Sequence, residues 1–119
     1  MTTKRLEGQR GNLLSNLPEA AAFGEVFETL CATPAARIER IVSRGQTTPP
    51  DQWLSQPEAE WVLLLAGQAT LTFEGQTEPC RLFRGDYLYI PGGCRHRVEW
   101  TDPDQACVWL AVHLSVSQE

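Results

Sequence analysis

Short apolar segments recur along the chain and are separated by residues that favour turns. Each segment is five to nine residues long and rich in Val, Ile, Leu, Phe, Tyr or Trp, with Gly, Pro, Asp and Gln between the segments. Runs of this length and composition at regular spacing are typical of β-strands. The pattern therefore predicts eight strands, at residues 25–31, 36–43, 60–66, 69–74, 78–83, 86–90, 94–100 and 106–114.

The last of these segments indicates how the strands pack. Alternation places Val108, Leu110, Val112 and Leu114 on one face, and Trp109, Ala111 and His113 on the other. Both faces are fairly apolar, which is typical of a strand that packs on two sides. Many short antiparallel strands in one small chain predict an all-β sandwich or barrel. Residues 44–59 hold three prolines and no periodicity, and they are predicted to form a loop.

Length and charge narrow the class of protein. The chain has 119 residues, of which 42% are hydrophobic and 21% charged, which predicts one folded domain and excludes wholesale disorder. Its net charge of -5 argues against nucleic acid as a partner. No apolar run reaches the length of a membrane helix, and no secretory signal pattern opens the chain. We expect a cytoplasmic protein with an extended arm over residues 1–22 and one barrel domain over residues 23–117.

A short stretch near the C-terminal third is locally basic. Residues 81–97 have a net charge of +3, from Arg81, Arg84, Arg95 and Arg97 against Asp86. One interpretation is that these are solvated arginines on strand faces. The other is a pocket rim that attracts an anionic small molecule.

The same stretch contains residues whose spacing carries chemical meaning. Gly85, Pro91, Gly93 and His96 follow the order Gly-x5-Pro-x-Gly-x2-His, and a Glu-x6-Gly run begins upstream at Glu60. These two motifs resemble those of the cupin superfamily, and most of the chain resembles small single-domain bacterial cupins. The resemblance implies a jelly-roll β-barrel, also called a double-stranded β-helix.

The resemblance also implies a role for two of these residues, and it exposes a departure. In the superfamily His96 would be a metal ligand or a catalytic base, and Glu60 a metal ligand. The His-x-His half of the first motif is missing, because its positions fall on Leu54 and Gln56, or on Trp53 and Ser55. A tight centre needs about three or four protein ligands. We therefore expect a divalent metal (Zn, Ni, Mn or Fe) to bind weakly or not at all, at an incomplete site of Glu60 and His96.

Five residues are expected to line a ligand pocket in the barrel lumen: Trp53, Gln56, Glu60, His96 and Trp100. Strand alternation places Glu60 on one face with Val62 and Leu64, and the resemblance implies that this face is the lumen. Trp100 has the same parity as His96. Trp53 and Gln56 stand where the missing histidines would be, so they are expected at the pocket mouth. The alternatives are a packed His96, a salt-bridged Glu60 at the rim, and a Trp100 that belongs to the core. His113 is expected to be a hydrogen-bonded strand histidine or a dimer contact.

Three functions remain open at this point, and the sequence does not decide whether the protein is an enzyme. The first is binding of a small polar ligand in the lumen, beside an atypical metal site. The second is a metal-free isomerase or epimerase acting on a sugar or small acid, with His96 as the catalytic base. The third is a ligand-sensing module without catalysis. We also expect a homodimer, because the aromatic and apolar β-surface exceeds what one lumen needs, with segment 10–17 crossing to the neighbour.

Overall fold

The computed structural model describes residues 9–19 and 24–115, which contain eight β-strands and no helix. The strands are β1 (Val26–Ala32), β2 (Ala36–Ser43), β3 (Ala59–Ala66), β4 (Ala69–Phe73), β5 (Cys80–Leu82), β6 (Tyr87–Ile90), β7 (His96–Thr101) and β8 (Cys107–Leu114). All eight predicted strands are present, with ends displaced by two residues or fewer. Half of the expected N-terminal arm, residues 1–8 and 20–22, lies outside the described residues. In the part of the chain that is described, no helix is long and apolar enough to cross a membrane.

The strands form two antiparallel sheets, which confirms the all-β prediction. The larger sheet has the order β1-β2-β8-β3-β6, and the smaller has the order β5-β4-β7. β8 is therefore the central strand of the larger sheet, flanked by β2 and β3. The core between the sheets is built from apolar residues of both: Val62, Leu64, Ala69, Leu71, Leu82, Ile90, Cys107, Trp109 and Ala111. Within it, Trp109 donates its indole N–H to the Ser43 hydroxyl at 3.2 Å.

A β-bulge in β7 determines where Trp100 points. Leu71 pairs with Val98, but the preceding Thr70 pairs with Trp100, so Glu99 is an extra residue in β7. An extra residue reverses the alternation of the residues that follow it. Trp100 therefore lies on the face opposite Val98 and is 42% exposed. The prediction that Trp100 points into the lumen is wrong for this reason.

The outer face of the larger sheet holds the N-terminal segment through a buried arginine. Arg40 is only 7% exposed, and its guanidinium donates to the carbonyl oxygens of Leu13 (3.0 Å), Ser15 (2.8 Å) and Asn16 (3.3 Å). Its Nε also pairs with Glu28 on the neighbouring β1. The described part of segment 10–17 is thus fastened to β2 of its own chain.

Farther along the same outer face, at the edge strand β6, aromatic residues are exposed. Trp61 pairs with Tyr89 and Leu63 pairs with Tyr87, on the side of the sheet opposite the core. Tyr87 and Tyr89 are 63% and 58% exposed, and the Tyr87 ring packs on Trp61 with centroids 5.4 Å apart.

Candidate functional site

A cavity of about 280 Å³ lies between the two sheets. Most of its wall is apolar, and polar side chains project into it from both sheets and from the loop before β3. The lining residues are Glu25, Phe27, Glu39, Ile41, Leu54, Ser55, Gln56, Glu60, Val62, Leu71, Ile90, His96, Val98, Trp109 and His113. An apolar cavity with a few convergent polar groups is the usual form of a small-molecule site.

The loop before β3 is held against β7 by backbone hydrogen bonds. Leu54 and His96 exchange two of them, at 2.7 and 3.0 Å, as an isolated bridge. Beyond Leu54, the Gln56 carbonyl oxygen accepts from the Gly93 N–H at 2.7 Å. Gly92 is required at this point because a Cβ there would collide with the Pro57 carbonyl oxygen. The Pro91–Gly93 turn therefore fixes the loop segment that carries Gln56.

A chain of side-chain hydrogen bonds crosses the polar end of the cavity. Gln56 Nε2 lies 3.2 Å from Glu60 Oε1 and 3.2 Å from His113 Nδ1. His113 Nε2 lies 3.0 Å from Glu39 Oε1. The Glu39 carboxylate can only accept, so it takes an N–H from His113, and Gln56 donates to both Glu60 and the other ring nitrogen. The network runs Glu39–His113–Gln56–Glu60, and Arg37 completes it at Glu39 Oε2 (3.2 Å).

His96 stands on the opposite wall of the cavity, at the first position of β7. It is 6% exposed, and its ring lies 5.9 Å from that of Phe73. Its Nδ1 donates to the Cys94 carbonyl oxygen at 3.0 Å. This bond leaves the lone pair of Nε2 for the cavity in the neutral ring, and among the described residues Nε2 has no hydrogen-bond partner.

Burial in the cavity raises the pKa of the Glu60 carboxyl above its ordinary value. The nearby imidazoles of His113 and His96 and the hydrogen bond from Gln56 oppose this increase, while the Glu39 carboxylate adds to it. The pKa of Glu25, at the cavity mouth, is also raised by desolvation. Glu60 is therefore held closer to protonation than a surface carboxyl, and perturbed carboxyls of this kind are typical of groups that exchange protons with a ligand.

Three of the five predicted pocket residues, Gln56, Glu60 and His96, line this one cavity. Trp53 does not line it. Its ring lies 5.6 Å from the Arg97 guanidinium on the outer side of β7. Trp100, as described above, faces outward and borders a separate surface groove with Arg81 and Phe83. Both tryptophans are thus displaced from the predicted pocket.

Three acidic or basic residues of the cavity were not predicted: Glu25, Glu39 and His113. The strand register brings two of them together, because His113 pairs directly with Glu60 across β3 and β8, and Glu39 lies on the same face of β2. His113 was expected to be a hydrogen-bonded strand histidine, and it is hydrogen-bonded, but inside the cavity. The sequence feature that could have predicted this is strand alternation, which places His113 on the same face as Trp109.

The basic stretch does not contribute to this cavity. None of Arg81, Arg84, Arg95 and Arg97 lines it. Arg81, Arg84 and Arg95 are exposed, and Arg97 pairs with Glu99 at 3.1 Å. The interpretation of these residues as a pocket rim therefore does not apply to this cavity, although Arg81 borders the separate groove beside Trp100.

The side chains of the cavity do not fit the metal centre that the resemblance implies. His96 Nε2 and Glu60 can face a common ion, but both ring nitrogens of His113 are already used by Gln56 and Glu39. The Gln56 amide nitrogen is a donor and cannot ligate. Within residues 9–19 and 24–115, no group of three or more His, Cys, Asp and Glu side chains is arranged to hold a metal ion.

Comparison with known proteins agrees with this architecture. The family model for the Cupin domain matches residues 40–113. The chain is 42% identical to a protein from Ralstonia eutropha JMP134 whose crystal structure is named a "putative mannose-6-phosphate isomerase"; the match covers 92% of this chain and all of that one, with a TM-score of 0.87. No curated protein matches the sequence significantly.

Two more distant structures share the fold alone. A cupin superfamily protein from Desulfitobacterium hafniense DCB-2 is 20% identical, with 98% of this chain and 100% of that chain covered and a TM-score of 0.71. A cupin family protein with a double-stranded β-helix fold from Methanocaldococcus jannaschii is 23% identical, with 96% and 92% covered and a TM-score of 0.62. The jelly-roll prediction is confirmed.

Proposed function

The chain belongs to the cupin family, and on that premise we propose that its inner cavity binds a small polar molecule and exchanges a proton with it through Glu60 and His96. One observation carries the proposal: a carboxyl with a raised pKa and an imidazole with an uncommitted Nε2 line the same largely apolar cavity. Pairs of titratable groups in such surroundings are what general acid–base catalysis requires.

The reaction class that suits this pair is an isomerisation or epimerisation without a metal. One group removes a proton from a carbon next to a carbonyl, and a proton returns to a neighbouring atom or to the other face, so no oxidant is needed. The 42% identical structure is named for an isomerase, which supports this class. Because the donor set lacks a third ligand, we derive no step through a metal ion.

The network behind Glu60 would hold this group in place. Gln56 donates to Glu60 Oε1 and also to His113, and His113 is held in turn by its hydrogen bond to Glu39. We assign Glu60 and His96 as catalytic residues and Gln56, His113 and Glu39 as positioning residues.

Deuterium exchange tests the proposal without knowledge of the product. Small sugars, hydroxy acids and amines that carry a carbonyl group are incubated with the protein in D₂O, and proton NMR follows the loss of protons from the carbon next to the carbonyl. A substrate should exchange, and Glu60→Gln or His96→Gln should slow the exchange by about 10²–10⁴-fold. The matched control is Glu74→Gln, because Glu74 is an exposed carboxylate outside the cavity.

The alternatives give different results. Binding without exchange would favour a ligand-sensing module over an enzyme. Exchange that survives both His96→Gln and Glu60→Gln would contradict the proposed residues.

A further inference from the structure

The hydrogen-bonding groups that face the cavity are unequally divided between donors and acceptors. The donors are already used inside the protein: Gln56 Nε2 binds Glu60 and His113, the indole N–H of Trp109 binds Ser43, and the two imidazoles bind Glu39 and Cys94. With Glu60 ionised and His96 neutral, the rotatable hydroxyl of Ser55 is the one side-chain donor that the described lining leaves for a ligand.

Several acceptors remain among the described residues, one of which is the Gln56 amide oxygen. Glu60 Oε2 and the Glu25 carboxylate have no hydrogen-bond partner among the described residues, and neither has His96 Nε2. His96 is the most telling of these, because it is 6% exposed and its uncommitted nitrogen belongs to a ring that lines the cavity. A donating ligand would supply the hydrogen bond that this nitrogen lacks among the described residues.

The charge of the lining points the same way. Glu25, Glu39 and Glu60 are acidic, and the lining contains no lysine or arginine within the described residues. Arg37 forms ion pairs with Glu39 and Glu58, and it offsets the negative charge of Glu39. Among the described residues, neither Glu60 nor Glu25 pairs with a lysine or arginine. The cavity therefore has negative potential, which attracts cations and repels phosphate and carboxylate groups.

We infer that the ligand of this cavity is a small molecule with an ammonium group and an apolar body, and not a phosphorylated or carboxylated one. This inference rests on the proposed function and specifies its substrate class. An ammonium group offers donors only, so it can pair with the acceptors of this lining, at Glu60 Oε2, Glu25 or His96 Nε2. Its carbon chain lies against the apolar wall, and the Trp109 and Phe27 rings favour a nearby cation. A phosphosugar would place a dianion among carboxylates.

A series of four-carbon probes that differ only in charge tests the inference. 1,4-Diaminobutane, butane-1,4-diol and succinate are titrated into the full-length protein by calorimetry at low ionic strength, together with mannose 6-phosphate. We expect the diamine to bind at least tenfold more tightly than the diol, and the two anions not to bind.

Two variants separate the cavity from non-specific attraction to an acidic protein. Glu60→Gln should weaken diamine binding at least tenfold, whereas Glu74→Gln, which removes an equal charge outside the cavity, should not change it. Perturbation of the His96 ring resonances by the diamine would place it in the lumen. Equal loss in both variants would overturn the inference.

The outcomes also separate this inference from the proposed function. Tighter binding of succinate or mannose 6-phosphate, lost in His96→Gln, would overturn the ammonium class and leave the lumen as the binding site. Exchange of a neutral substrate without diamine binding would do the same. If no probe binds and no compound of the exchange panel reacts, both proposals fail.

Discussion

Glu60 and His113 stand directly opposite each other across the β3–β8 pair, yet their hydrogen-bonded connection runs through a third residue, Gln56. The amide separates a carboxylate from an imidazole that would otherwise form an ion pair. Burial raises the pKa of Glu60 above its ordinary value, although the two nearby imidazoles and the hydrogen bond from Gln56 lower it. The loop that carries Gln56 thus affects the pKa of the Glu60 carboxyl on β3.

Glu60→Gln should stabilise the fold near neutral pH. Burial raises the folded-state pKa of Glu60, so its contribution to stability is fully present below its ordinary pKa of 4.5 and is lost as pH rises through the folded-state pKa. The neutral amide keeps the acceptor for Gln56 without this loss. Urea unfolding from about pH 4 to about pH 8 should show an advantage that grows with pH. A variant less stable than the wild type at all pH values would contradict this expectation.

Removal of two tryptophans should have very different effects. Trp109 is 5% exposed in the core, and Trp109→Ala should cost about 3–5 kcal/mol of the free energy of unfolding. Trp100 faces outward beyond the bulge, so Trp100→Ala should cost about 1 kcal/mol or less. Chemical denaturation measures both. Comparable losses would show that Trp100 packs in the interior.

Arg40→Met should release the N-terminal segment from the outer face of the larger sheet. The substitution removes charge-assisted hydrogen bonds to Leu13 and Ser15 and unpairs Glu28, which should cost about 2–3 kcal/mol. Arg84→Met, at an exposed arginine, should change stability by about 0.5 kcal/mol or less. Hydrogen exchange should show loss of protection in residues 13–16 in the first variant alone.

Metal removal should leave the protein folded. The cavity offers Glu60 and His96 Nε2 but no third protein ligand in the described residues, so we expect substoichiometric metal after purification and a change in Tm of less than about 2 °C on dialysis against EDTA. Elemental analysis and calorimetry measure these. Stoichiometric metal that survives EDTA and disappears in His96→Ala, but not in His113→Ala, would disprove the expectation.

A homodimer remains our prediction, and the structure suggests the surface to test. Tyr87 and Tyr89 are exposed beside Trp61 on the outer face of the larger sheet. Exposed aromatic patches of this kind mark association surfaces. Light scattering should give twice the monomer mass of 13.3 kDa. The Tyr87→Lys, Tyr89→Lys double variant should give the monomer, whereas Phe83→Lys, at an exposed aromatic residue on the other side of the barrel, should stay dimeric. A wild type of about 13 kDa at micromolar concentration would exclude the dimer.

All eight strands and part of the site could be predicted from the sequence, because both depend on local patterns. Strand composition and turn residues are local signals, and so is the alternation that turns Glu60 inward. Glu39 and His113 were missed because their meeting depends on the order β2-β8-β3 and on the register of those strands. Local patterns do not contain that information.

The error at Trp100 has a different origin. Strand alternation predicts which way a side chain points only where the strand has no bulge. The extra residue Glu99 forms a bulge between Val98 and Trp100, so Trp100 points the other way. Trp53 does not line the cavity either, because the position of a residue in a loop does not specify where its side chain points. Gln56 was placed correctly, and the bond from Gly93 N–H to its carbonyl oxygen shows what fixes it there.

The loop that carries Gln56 has a second consequence for the molecule. β7 is an edge strand of the smaller sheet, and the loop lies along it, with Thr48 N–H bound to the Val98 carbonyl oxygen at 2.9 Å and Leu54 paired with His96. An uncovered edge would offer unpaired backbone groups to any other extended chain. The segment that shapes the binding cavity thereby also protects the barrel from edge-to-edge aggregation, so substitutions that loosen it endanger solubility as well as ligand recognition.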